Sequence, residues 1–110
     1  MELFVLIVKD LNVLSVIMKK MVKIGITGAT VLEGEGMAQS IISMEDVPVF
    51  SMLKKMLVEE ENTSQVMLVV LKKERLEEVK NIVRMVVGDL TKPNKGIMFS
   101  LPLTFVEGLK

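Results

Sequence analysis

Hydrophobic and polar positions along the chain alternate between continuous apolar runs and stretches of helical spacing. Residues 3–8, Leu-Phe-Val-Leu-Ile-Val, are apolar at every position. That is the pattern of a strand covered on both faces, or covered on one face and pressed against a neighbouring subunit with the other. From Asn12 the period changes, and Leu14, Ile17, Met18, Met21 and Val22 recur every three or four residues with Lys19, Lys20 and Lys23 on the other side. This predicts a helix. Asp10 or Asn12 is placed to accept hydrogen bonds from the free amides at its start, the lysines suit the negative end of its dipole, and Gly25 supplies a stop.

Residues 28–33 predict a second, shorter strand, followed by Gly34-Glu35-Gly36, where two glycines permit a turn. The stretch 37–63 predicts a long connection containing a short helix over 48–57, because Pro48 suits a first turn and the apolar residues after it have helical spacing. Glu59-Glu60-Glu61-Asn62 closes it as a solvated turn. A third strand is expected over 65–71 and a second helix over 74–87. That helix carries Leu76, Val79, Ile82, Val83 and Val86 as one apolar stripe, with Glu77, Glu78 and Lys80 outside. Gly88 ends it, and after the loop 89–95 a fourth strand over 96–101 is limited by Pro102.

The order β-α-β-β-α-β predicts an α+β, ferredoxin-like sandwich, with two helices on one face of a four-stranded antiparallel sheet. The length of 110 residues suits one domain over 1–110. The other sheet face is left bare. A strand apolar at every position then exposes a patch larger than monomers tolerate, so self-association is expected, and two or three copies both satisfy the pattern.

Composition narrows the chemistry. The four aromatic residues are all Phe and there are ten Met, so the core is aliphatic and adaptable. Fourteen basic residues balance fourteen acidic ones, which removes the positive field that nucleic-acid backbones require. With no Cys and no His, disulfides, thiolate nucleophiles, imidazole bases and the usual zinc sites are excluded. The apolar runs fall far short of the roughly 18–20 residues that cross a bilayer. The start, Met1-Glu2 and then a strand, has no basic region or cleavage site, so a cytoplasmic protein is expected.

Lys19, Lys20 and Lys23 read as a solvated helix face. Glu33 and Glu35 lie on one side of a strand without a third ligand for a metal. A lone Gly-x-Gly is a weak signal, no dinucleotide fingerprint or phosphate loop is completed, and isolated glycines are mostly caps and turns.

Spacing across the chain says more. The segment Gly25-Ile26-Thr27-Gly28-Ala29-Thr30-Val31 with Gly34-Glu35-Gly36-Met37, and residues 88–102, together with 3–9, resemble the P-II family of nitrogen-regulatory signalling proteins in order and spacing. The resemblance covers nearly the whole chain. It implies a non-enzymatic homotrimer that binds an adenine nucleotide (ATP, ADP or AMP) as effector, and often 2-oxoglutarate, in clefts between subunits. It also implies a long T-loop, here 37–63, that engages a target protein.

Carried onto this sequence, Thr30 and Val31 match the strand flanking the adenine. Gly36-Met37, or Gly34-Glu35-Gly36, matches the glycine pair beneath the T-loop. Gly88, Asp89 and Gly96 fall in the glycine-rich B-loop, whose amides cradle phosphates, with Gly96 best aligned by its distance to Pro102.

There are departures from the family pattern. Ile97 stands where the family has a basic residue, and the family's arginine-bearing C-terminal segment has no counterpart before Lys110. Lys92 or Lys95 is expected to supply that charge. The connection contains no Tyr for nucleotidylation, and its Phe50, Leu53 and Leu57 form a stripe that either packs inward or docks a partner. No metal, nucleic-acid or membrane partner is expected. The alternatives are an assembly trimer without ligand binding, and an enzyme using Asp89 or Glu33 with a metal, which the missing His and Cys disfavour.

Overall fold

The computed structural model describes residues 1–37 and 63–109. The helix expected over 48–57, with Phe50, Leu53 and Leu57, and the turn 59–62 lie outside the described residues. The elements are β1 (Glu2–Val8), α1 (Leu11–Lys23), β2 (Ala29–Glu35), β3 (Thr63–Leu71), α2 (Leu76–Val87) and β4 (Ile97–Pro102). A single 3₁₀ turn, Lys73–Arg75, leads into α2.

Asp10, not Asn12, caps α1: its Oδ1 accepts from the Asn12 amide at 2.8 Å. At the far end, Gly25 N–H donates to the Val22 carbonyl and Ile26 N–H to the Met21 carbonyl, closing the last turn. The Arg75 guanidinium donates to the Ile24 carbonyl and pairs with Glu78, tying the end of α1 to the start of α2.

Two expected boundaries are corrected. The second strand does not turn at Gly34: it continues to Glu35, because β3 begins at Thr63 and supplies ladder partners for Gly34 and Glu35. The second helix does not start as an α-helix at Glu74. Lys72 provides no side-chain cap, and the first amide is satisfied by the tighter bond from Arg75 N–H to the Lys72 carbonyl.

The sheet order is β2-β3-β1-β4 with every neighbouring pair antiparallel. One face meets the helices. Phe4, Leu6 and Val8 of β1 alternate with Met67, Val69 and Leu71 of β3 to form the floor of the core. Leu14, Ile17 and Met21 of α1 and Val79, Ile82 and Val83 of α2 close it from above. Burying each of these large side chains favours folding by roughly 1.5–3 kcal/mol.

The other face is equally apolar and uncovered among the described residues. In register, Leu3 lies between Val70 and Leu101, Val5 between Leu68 and Phe99, and Ile7 between Val66 and Ile97. Val5, at the centre, is 6% exposed, whereas Ile97, Phe99 and Leu101 are 54%, 43% and 40% exposed. No helix among the described residues is long and apolar enough to cross a membrane.

Candidate ligand-binding site

The described residues singled out from the sequence fall into two groups, one on each edge of the sheet, with Thr30 and Val31 level with the middle of β1. Strand β2 ends at Glu35, opposite the start of β3, and β1 ends at Val8 beside the start of β4. Gly34, Gly36 and Met37 therefore lie at the same end as the loop 88–96. They lie on opposite edges, however. Two strands intervene, and three inter-strand spacings of about 4.8 Å separate the edges by roughly 14 Å. One copy of the chain does not bring the two groups together.

On the β2 edge, Thr30 pairs with Leu68 on the bare face and Val31 with Met67 on the helix face, so the two side chains flank the strand on opposite sides. Both are exposed. A Cβ added at Gly34 would make an ordinary contact with Val66, and one added at Gly36 would meet nothing within 4 Å among the described residues. Met37 is 79% exposed.

The loop 88–96 is built from local bonds. Gly88 closes α2 with φ +89°, its N–H donating to the Arg84 carbonyl at 2.9 Å. The Asp89 carboxylate accepts from the Thr91 amide at 2.9 Å and from the Thr91 hydroxyl at 2.6 Å. The hydroxyl bond and then the amide bond hold the Asp89 pKa below its ordinary value. Asn94 takes the left-handed conformation, φ 63°.

Gly96, at φ +114°, passes so close to β1 that a Cβ there would stand 2.6 Å from the Ile7 carbonyl oxygen. Its absence of a side chain is thus demanded by packing, and Asp89 serves as a turn acceptor. Lys92 and Lys95 are exposed and have no ion-pair partner among the described residues.

A cavity of about 240 Å³ opens under this loop on the helix side, lined by Val8, Lys9, Asp10, Val13, Val86, Val87, Asn94 and Lys95. It includes Lys95 but none of the candidate glycines. Sequence reasoning missed Asn94, although Pro93-Asn94-Lys95-Gly96 carries the signal: asparagine tolerates the left-handed region better than other side chains. Among the described residues no three carboxylates gather to hold a metal ion.

No protein-family model matches the chain, and no curated protein matches it in sequence. Solved structures do share its fold. One is the crystal structure of Arabidopsis thaliana PII bound to citrate. It is similar with a TM-score of 0.62 and 20% sequence identity, over 93% of this chain and 73% of that chain. The described sheet and helices are thus those of the ferredoxin-like PII fold.

Proposed function

We propose that this chain is a P-II-like regulatory protein without catalytic activity, a single domain over 1–110 that works in the cytoplasm as a homotrimer. It senses an adenine nucleotide or a related metabolite in clefts between subunits and signals to a partner protein through the connection 37–63. One observation carries the reading: the two halves of the candidate site lie at the same end of the sheet but on opposite edges, so only a neighbouring copy completes the cleft.

The bare apolar face supports it from a second side, because burying that face is what drives copies together. In such a cleft, Thr30, Val31, Gly34, Gly36 and Met37 of one subunit face the loop 88–96 of the next. Gly88 and Gly96 shape that loop, and Lys92 or Lys95 brings positive charge to the phosphates. Citrate, the ligand of the similar plant protein, belongs in the ligand panel with the nucleotides.

Sedimentation analysis and a thermal-shift screen test this together. The expected results are a particle of three chains of 12.3 kDa each and a raised melting temperature with ATP, ADP or AMP. A ligand at a hundred times its Kd adds about 2.7 kcal/mol to the folded form. Titration calorimetry then expects Lys92→Ala to lose much of the nucleotide heat, and equal heats in both proteins remove that lysine's role. Absence of any shift with nucleotides, 2-oxoglutarate, bicarbonate or citrate, in a protein that still sediments as a trimer, favours the assembly-only reading. That second reading is supported by the structural duties of Gly88 and Gly96.

A further inference from the structure

The cavity under the loop 88–96 opens on the helix side of the sheet, within one copy of the chain, and measures about 240 Å³. Pockets for drug-sized ligands run from roughly 300 to 1,000 Å³, so this one suits a metabolite of few heavy atoms.

Its walls are of two kinds. Val8, Val13, Val86 and Val87 supply aliphatic surface from the end of β1, the start of α1 and the end of α2. Charge of both signs stands around them: the Asp10 carboxylate where α1 begins, and the ammonium groups of Lys9 and of Lys95 in the loop. The last turn of α2 adds to the negative side. Among the described residues the loop returns one backbone bond to it, from the Gly88 N–H to the Arg84 carbonyl, so the carbonyls of Val86 and Val87 receive no amide from the loop. The negative end of that helix dipole is left open where Val86 and Val87 line the cavity.

A ligand with a single charge meets an unlike group and a like group in the same small space. A ligand with both charges satisfies each: its ammonium is drawn to Asp10 and the end of α2, its carboxylate to Lys95. We infer that this cavity binds a free α-amino acid with a short aliphatic side chain, which packs against the four valines. Asp10 uses one oxygen to cap α1, and a carboxylate has a second to offer an ammonium. All of these groups belong to one copy, so the site depends neither on self-assembly nor on the nucleotide cleft, and a ligand there braces the loop 88–96 from beneath.

Titration calorimetry tests the two charges separately. L-alanine and L-valine are compared with isobutylamine and isovalerate, which are valine without its carboxylate and without its ammonium. Heat from at least one amino acid and none from either analogue at the same concentration is expected. Asp10→Asn keeps a capping side chain and removes the negative charge, and Lys95→Gln removes the positive one. Each is expected to weaken amino-acid binding by about tenfold or more, with circular dichroism reporting that the fold is kept. Should Asp10→Asn unfold the chain, Lys95→Gln, in the exposed loop, carries the test alone. Absence of heat from both amino acids, an analogue that binds as tightly as valine, or unchanged affinity in the folded variants overturns the site. The nucleotide screen reads the cleft apart from it: amino-acid heat without a nucleotide shift keeps this site and removes the cleft, and a nucleotide shift without amino-acid heat does the reverse.

Discussion

Gly96 and Gly36 stand at the same end of the sheet, on its two edges, and they are glycines for different reasons. At Gly96 the backbone has φ +114° and a Cβ would stand 2.6 Å from the β1 carbonyl oxygen of Ile7. At Gly36 the backbone is ordinary, and nothing among the described residues opposes a side chain. The loop 88–96 shows the same self-sufficiency throughout: Gly88 caps a helix and Asp89 satisfies Thr91. The rim of β2 holds no such internal account. A glycine explained by its own fold says little about ligands, whereas a glycine that the fold does not need leaves room for something to approach.

The largest effect expected from this contrast is at Gly96. Gly96→Ala combines a disfavoured backbone region with a collision against main chain, and a loss of about 3 kcal/mol or more is expected in denaturant unfolding. A loss below about 1 kcal/mol would show that β1 and the loop yield easily, and the contrast between the two edges would weaken. Gly88→Ala comes next. Its φ of +89° is strained for alanine, but the space around it is open among the described residues, so about 1–2 kcal/mol is expected by the same measurement.

Much of the architecture is legible in the sequence. Continuous apolar runs and helical stripes are written in the period of the sequence itself, and they located all four strands and both helices. Where a glycine stands inside such a run, the period is silent. Gly34 reads as a turn, and only the length of its partner β3 shows it to be strand. Asp10 and Asn12 are both good caps by type, and which one caps depends on where the backbone leaves the extended region. The opposed edges were hidden for a different reason. Gly36 and Gly96 are far apart in sequence, and that they stand on opposite edges at one end of the sheet emerges only from the order β2-β3-β1-β4.

A smaller effect is expected at Asp89, where the sharpening is chemical. Because its native pKa is lowered, the turn's contribution is complete above the ordinary carboxylate range and is lost as pH falls through the lowered native value. An NMR titration is expected to place the Asp89 carboxyl midpoint below the roughly 3.9 of an unperturbed aspartate, with the Thr91 amide following it. In Thr91→Val, which removes the hydroxyl donor, the midpoint is expected to rise toward the free value. A wild-type midpoint at or above it means that the loop does not hold its own shape, and the self-sufficiency attributed to it fails.

The smallest expected change in stability is at Gly36, and it separates the two edges most cleanly. Gly36→Ala adds one methyl in open space at an ordinary φ, so unfolding is expected to shift by no more than about 0.5 kcal/mol. If the cleft lies between Gly36 of one copy and the loop 88–96 of the next, that methyl intrudes on the ligand rather than on the protein. The thermal shift produced by an adenine nucleotide is then expected to shrink by at least half, while the ligand-free melting temperature stays in place. Gly96→Ala makes the opposite pattern, lowering the ligand-free melting temperature first. Should Gly36→Ala leave both quantities untouched, the β2 rim is open for want of any constraint, and the ligand, if one binds, approaches elsewhere.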